Sequence, residues 1–203
     1  MKPKESINTV EYCRNALVAE RVRVSIALPS NRALKDYEGT LVGIYDLGLE
    51  KIRTTQGSVR LRCTPFWFLY NLEGSADHIF INQKYIVKFL LIEKGYTISK
   101  KEGKKGLQLS QKELIADLTA AEVSMTIVNN NRLVEIIEGT FFAMYDLHDI
   151  YWYVSDIKTV ERKTSEYKEG RAWYRMENIA CFKILKTRDG DRYGTDDFWA
   201  MRR

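Results

Sequence analysis

Two aspartates recur in this chain within near-copies of one stretch, Asp46 in EGTLVGIYD and Asp146 in EGTFFAMYD. A carboxylate at a strand end accepts backbone N–H bonds and shapes a turn, so each forms a turn first and stands near a ligand second. The tyrosine before each, Tyr45 and Tyr145, can stack on a nucleobase, but a ring beside a strand end more often packs into a core. His148 is polar and loop-placed, which suits stacking, with a plain surface histidine as the alternative. Lys100, Lys101, Lys104 and Lys105 belong to SKKEGKKG, residues 99–106, a solvated basic stretch able to touch phosphates. Arg32 and Arg132 recur as well, and salt bridges to Glu38 and Glu138 would account for them.

Signatures of catalysis are missing. His78 and His148 have no partner at metal-ligand spacing, and the chain has no GxSxG, no phosphate-binding glycine loop and no paired Cys–His signature. The recurring carboxylates are copies of each other rather than an acid–base pair. The chain is therefore expected to be non-enzymatic, with neither metal nor cofactor.

A duplicated unit positions these residues. Residues 31–47 and 131–147 agree at eight of seventeen positions, among them Gly39/Gly139, Thr40/Thr140 and Asp46/Asp146; chance would give about one. Upstream, Val22, Val24 and Ile26 alternate as Val123, Met125 and Ile127 do, the period of a half-buried strand. Helical spacing precedes each, over Ser6–Ala19 and Ser110–Ala121, and Ser110 with Glu113 makes a capping box. Gly39 and Gly139, inside strands, imply a sharp bend or a close backbone approach. Further strands are expected at His78–Asn82, Tyr85–Ile92, Ile150–Val154 and Ile179–Leu185. Residues 53–77, with the aromatic run CTPFWFLY, read as irregular, adding a strand or a short helix. The polar stretch 99–106 divides the chain into units 1–98 and 107–203.

Composition narrows the class. The 203 residues are 45% hydrophobic and 29% charged, as in folded globular proteins, and three prolines exclude a fibrous chain. Cys13, Cys63 and Cys181 are odd in number and far apart, which implies reduced thiols and a cytoplasmic setting. The polar start and the lack of an 18-residue apolar run predict neither a signal peptide nor a membrane span. A charge of +5, from 32 basic and 27 acidic residues, leans towards polyanions.

A short helix followed by about five bent strands resembles the Sm-like family of small β-barrels. VRVSIAL…YEGTLVGIYD and VSMTIVN…IEGTFFAMYD are similar to its first motif, and LLIEKGYTI is similar to its second, with Lys94-Gly95 where Arg-Gly usually stands. ILKTRDGDRY is a looser version containing Arg188 and Gly190. The base-contacting Asn of the family is replaced by Glu50 and Ile150. The resemblance implies a mainly β fold of two tandem Sm-like or SH3-like barrels, each preceded by a short helix. It also implies a single-stranded nucleic acid ligand, RNA before DNA, held by Lys94, the Asp146–His148 turn and Arg188, with the 100–105 lysines adding phosphate contacts. The alternative is an assembly protein that forms homo-oligomers or binds a protein through sheet edges. A pocket for a small nucleotide between the repeats is a third possibility.

Overall fold

The alternation in RVRVSI makes the first strand, β1 (Arg21–Ile26), with Val22 and Val24 wholly buried and Arg23 in solvent. The computed structural model describes residues 17–18, 20–29, 34–53, 59–70, 72, 77–93, 109–130, 132–146, 149–161, 170–190 and 193. After β1 come β2 (Lys35–Arg53), β3 (Val59–Tyr70), β4 (His78–Asn82), a 3-10 turn at Gln83–Tyr85, and β5 (Ile86–Glu93). The second half runs α1 (Gln111–Leu118), β6 (Glu122–Val128), β7 (Val134–Asp146), β8 (Ile150–Glu161), β9 (Ala172–Arg175), a 3-10 turn at Met176–Asn178, and β10 (Ile179–Lys186). The fold is mainly β, as expected. All ten strands join in one open sheet, in the order β5-β1-β2-β3-β4-β10-β6-β7-β8-β9.

Each half has the same internal order, and the pairing registers match over the shared length of the strands, β2 running on to pair Glu50–Arg53 with β3 and β8 running on to pair with Ile136–Glu138. Val22 lies opposite Gly39 as Val123 lies opposite Gly139. Ile44 meets Trp67 as Met144 meets Trp152, and Phe68 meets Phe80 as Tyr153 meets Trp173. Even the irregularity between Leu41 and Gly43 returns between Phe141 and Ala143. The repeat in the letters is thus a repeat in space, and within residues 53–77 the stretch 59–70 forms strand β3. Strand β9 had no counterpart among the strands expected from the sequence.

The repeated glycines mark the bend. A Cβ on Gly39 would stand 2.7 Å from the Tyr70 carbonyl oxygen, and one on Gly139 would stand 2.8 Å from that of Ser155. Both obstacles are backbone and cannot swing aside. Gly39→Ala is therefore expected to cost about 1–3 kcal/mol in urea unfolding, through forced separation of β2 from β3. An unchanged midpoint would show that the strands can part freely.

Ser110 caps α1 as its sequence implied: its hydroxyl accepts from the Glu113 N–H at 3.2 Å, and the Glu113 carboxylate accepts from the Ser110 N–H at 2.7 Å. The helix expected at Ser6–Ala19 lies outside the described residues apart from Leu17 and Val18, both buried. The basic stretch 99–106 also lies outside them.

Candidate functional site: the seam and the free ends of the sheet

The halves meet where β4 pairs with β10, Cys181 opposite Ile81 and Phe182 opposite Phe80. Three rings stack across this seam. Phe80 lies flat on Phe68 (4.3 Å between centroids, 10°) and flat on Phe182 (4.6 Å, 2°). Trp152 closes the far side of Phe182 at 5.0 Å. Polar bonds edge the stack. Asn82 Nδ2 donates to the Ile179 carbonyl at 2.9 Å, the Tyr85 hydroxyl donates to the Glu177 carbonyl at 3.2 Å, and Lys183 pairs with Asp77. Leu109 donates its N–H to the Tyr45 hydroxyl at 3.1 Å, and Gln111 Nε2 donates to the Asp46 carbonyl at 2.6 Å. One core cluster accordingly holds Val42, Tyr45, Phe68 and Phe80 of the first half together with α1 and Phe182 of the second.

His78, Cys181 and Tyr37 at the seam are neutral at ordinary pH, whereas Asp77 is an ionised carboxylate. His78 is buried, and its Nε2 accepts the Ile184 N–H at 3.1 Å. Burial pushes its pKa down to about 4, with Lys183 adding to that, against the opposing pull of Asp77 and the Tyr193 backbone. Burial would raise Asp77, but bonds from Lys183 and the His78 N–H outweigh it and hold the carboxyl below its usual range. The Cys181 thiol, 3.9 Å from the Tyr37 hydroxyl, is pushed up by burial, as is Tyr37 itself. A buried, protonated thiol is not a nucleophile.

The ends of the sheet carry the same positions uncovered. In the second half Phe142, Tyr145 and Trp173 stand where the first half has Val42, Tyr45 and Phe80, and they are 47%, 43% and 48% exposed. Trp173 packs on Tyr145 at 4.6 Å and on Tyr153 at 4.8 Å, so the rings form one aromatic patch beside β9. At the other end, β5 exposes Val87, Phe89, Leu90, Leu91 and Ile92. Among the described residues neither the outer edge of β5 nor that of β9 has a strand partner. A sheet edge without a strand partner beside contiguous apolar surface is a docking feature rather than ordinary surface.

The sequence-derived candidates are dispersed. Arg188 is exposed on the turn where Thr187 bridges Gly190, which takes a φ of +115°. Asp146 ends β7, and its side chain is not among those described. Lys94, His148, Lys100, Lys101, Lys104 and Lys105 lie outside the described residues. Arg32 does too; among the described residues Glu38 takes Arg23 (2.9 Å) and Arg21 (3.1 Å), whose bonds hold its pKa low. Tyr45 is core, as expected, whereas Tyr145 is not. The sequence reading passed over Phe89 and Trp173. The signal for Phe89 was there, since YIVKFLLI copies the apolar run of IACFKIL with a phenylalanine in each.

A hollow of about 360 Å³ lined by Asp156, Ile157, Lys158, Gly170 and Arg171 lies within the second half rather than between the repeats. Among the described residues no group of three His, Cys, Asp or Glu side chains is placed to hold a metal ion. No described helix is long and apolar enough to cross a membrane. Compared with known proteins, the chain matches no family model, no curated protein and no solved structure.

Proposed function

We propose that this chain is a non-enzymatic binding protein that takes a polypeptide partner by strand addition at the free ends of its sheet. The observation that carries this is the coincidence, at each end, of a sheet edge that has no strand partner among the described residues with exposed apolar side chains, Val87 to Ile92 on β5 and Trp173 with Tyr145 beside β9. A helix followed by five strands in the second half, and the glycine-led strand in both, support reading the halves as two Sm-like units in tandem. A labelled, lysine-flanked peptide of the β5 sequence IVKFLLIE is the probe, held at trace concentration while the protein is raised and binding is followed by fluorescence anisotropy. Saturable binding, abolished by Trp173→Lys, is the expected result. Absence of saturable binding at tens of micromolar protein overturns the reading.

A second reading, binding of single-stranded RNA, is favoured by the exposed Arg188 turn and the net charge of +5. Lys94, the Asp146–His148 turn and the 100–105 lysines would share the contact, phosphate bonds would dominate, and affinity would fall steeply with salt. The Lys94→Glu/Arg188→Glu double variant is then expected to lose about 1–3 kcal/mol of oligonucleotide affinity. Equal binding by the double variant and the parent chain at low salt removes this surface.

A further inference from the structure

We propose that the partner at both ends is a second copy of this chain, joined head to tail so that β9 of one copy pairs with β5 of the next, a proposal that rests on the edge-binding reading and names its partner. The internal seam is the template. Strands β4 and β9 sit in matching registers, Phe80 opposite Phe68 and Trp173 opposite Tyr153. Strands β5 and β10 do likewise, Phe89 opposite Val24 and Phe182 opposite Met125. Carrying the seam's register to the free ends sets Phe89 opposite Trp173 and Lys88 opposite Tyr174, as Phe182 faces Phe80 and Cys181 faces Ile81.

Two of the three ring contacts of the seam already exist at the ends. Trp173 packs on Tyr153, tilted at 42° and 4.8 Å, where Phe80 lies flat on Phe68 at 4.3 Å. Phe89 packs against Trp67 at 5.2 Å as Phe182 packs against Trp152 at 5.0 Å. The remaining contact, Phe89 on Trp173, needs a second molecule. The exposures agree: Phe80 and Phe182 are 0% and 1% exposed, while Trp173 and Phe89 are 48% and 36%. Ala180, wholly buried on β10, has as its counterpart on β5 Val87, which is 56% exposed. Because the two surfaces differ, their union is heterologous and builds rings or open chains rather than a two-fold dimer.

Sedimentation velocity on the full chain, from dilute solution to tens of micromolar, tests this. The parent chain is expected to pass from monomer to species larger than a dimer. Trp173→Lys and Phe89→Lys should each remain monomeric with an unchanged circular dichroism spectrum, and their equimolar mixture should form a one-to-one dimer, since one intact end of each survives. Phe89 also touches Trp67, so Val87→Lys serves as a second block on β5 that leaves that contact in place. A parent chain that stays monomeric, single variants that still self-associate, or a mixture that does not dimerise overturns the proposal. A monomeric chain that nevertheless binds the β5 peptide refutes the second copy and leaves edge binding standing. A chain that does neither refutes both.

Discussion

Phe80→Ala is expected to cost about 3–5 kcal/mol, the range for removing a fully buried aromatic side chain and leaving its cavity. Phe80 is 0% exposed and is the middle ring of the stack that joins the halves, so little around it can collapse into the gap. Trp173→Ala is the control. It changes the equivalent residue of the second half, and at 48% exposure it should alter the stability of the monomer by only about 0.5 kcal/mol. The unfolding curve carries a second expectation. Because one core cluster draws side chains from both halves, tryptophan fluorescence and far-UV circular dichroism should report a single shared urea transition. Two separated transitions, with only one moved by Phe80→Ala, would mean that the halves unfold as independent bodies.

The other large effect is acid sensitivity. His78 has a folded pKa near 4, against an ordinary value of 6.5, because burial penalises the charged ring. A depressed histidine pKa means that the unfolded chain binds the proton first. Stability is therefore untouched above pH 6.5 and falls as pH drops from there towards 4, by about 3 kcal/mol. Asp77, whose folded pKa is lowered, loses its contribution only at more acid pH, as its carboxylate is protonated. The window between the two values thus belongs chiefly to His78. Urea denaturation at a series of pH values, compared with His78→Gln, isolates it, since an amide oxygen can still accept the Ile184 N–H but does not titrate. A pH profile unchanged by the substitution would mean that His78 is not the group that titrates.

Local sequence carried the duplication because it lies in residue types that each strand needs for itself. Gly39 and Gly139 are required wherever a neighbouring carbonyl comes within 3 Å of the absent Cβ, and the alternation of β1 and β6 is required wherever one strand face is buried. The capping box of α1 was legible for the same reason, since all its partners lie within four residues. Strand β3 was harder to read. Phe66, Trp67, Phe68 and Leu69 are all buried, so the strand is covered on both faces and shows no alternation. Strand β9 has only four residues, AWYR, too few to show a period.

Burial at the ends was beyond any local reading. Tyr45 and Tyr145 are the same residue in the same motif, yet one is 6% exposed and the other 43%. Phe182 and Phe89 occupy the same place in their strands, and one is sealed while the other faces solvent. What a strand is made of depends on its neighbours in the chain, and a duplicated sequence copies that faithfully. What covers a strand depends on which element comes to lie beside it. An open sheet made of two equal halves has one seam and two ends, so its copied surfaces cannot all be covered within one molecule. The sequence therefore determined the repeated unit and its bends, and only the tertiary structure decided which copy of each surface is core and which is exposed.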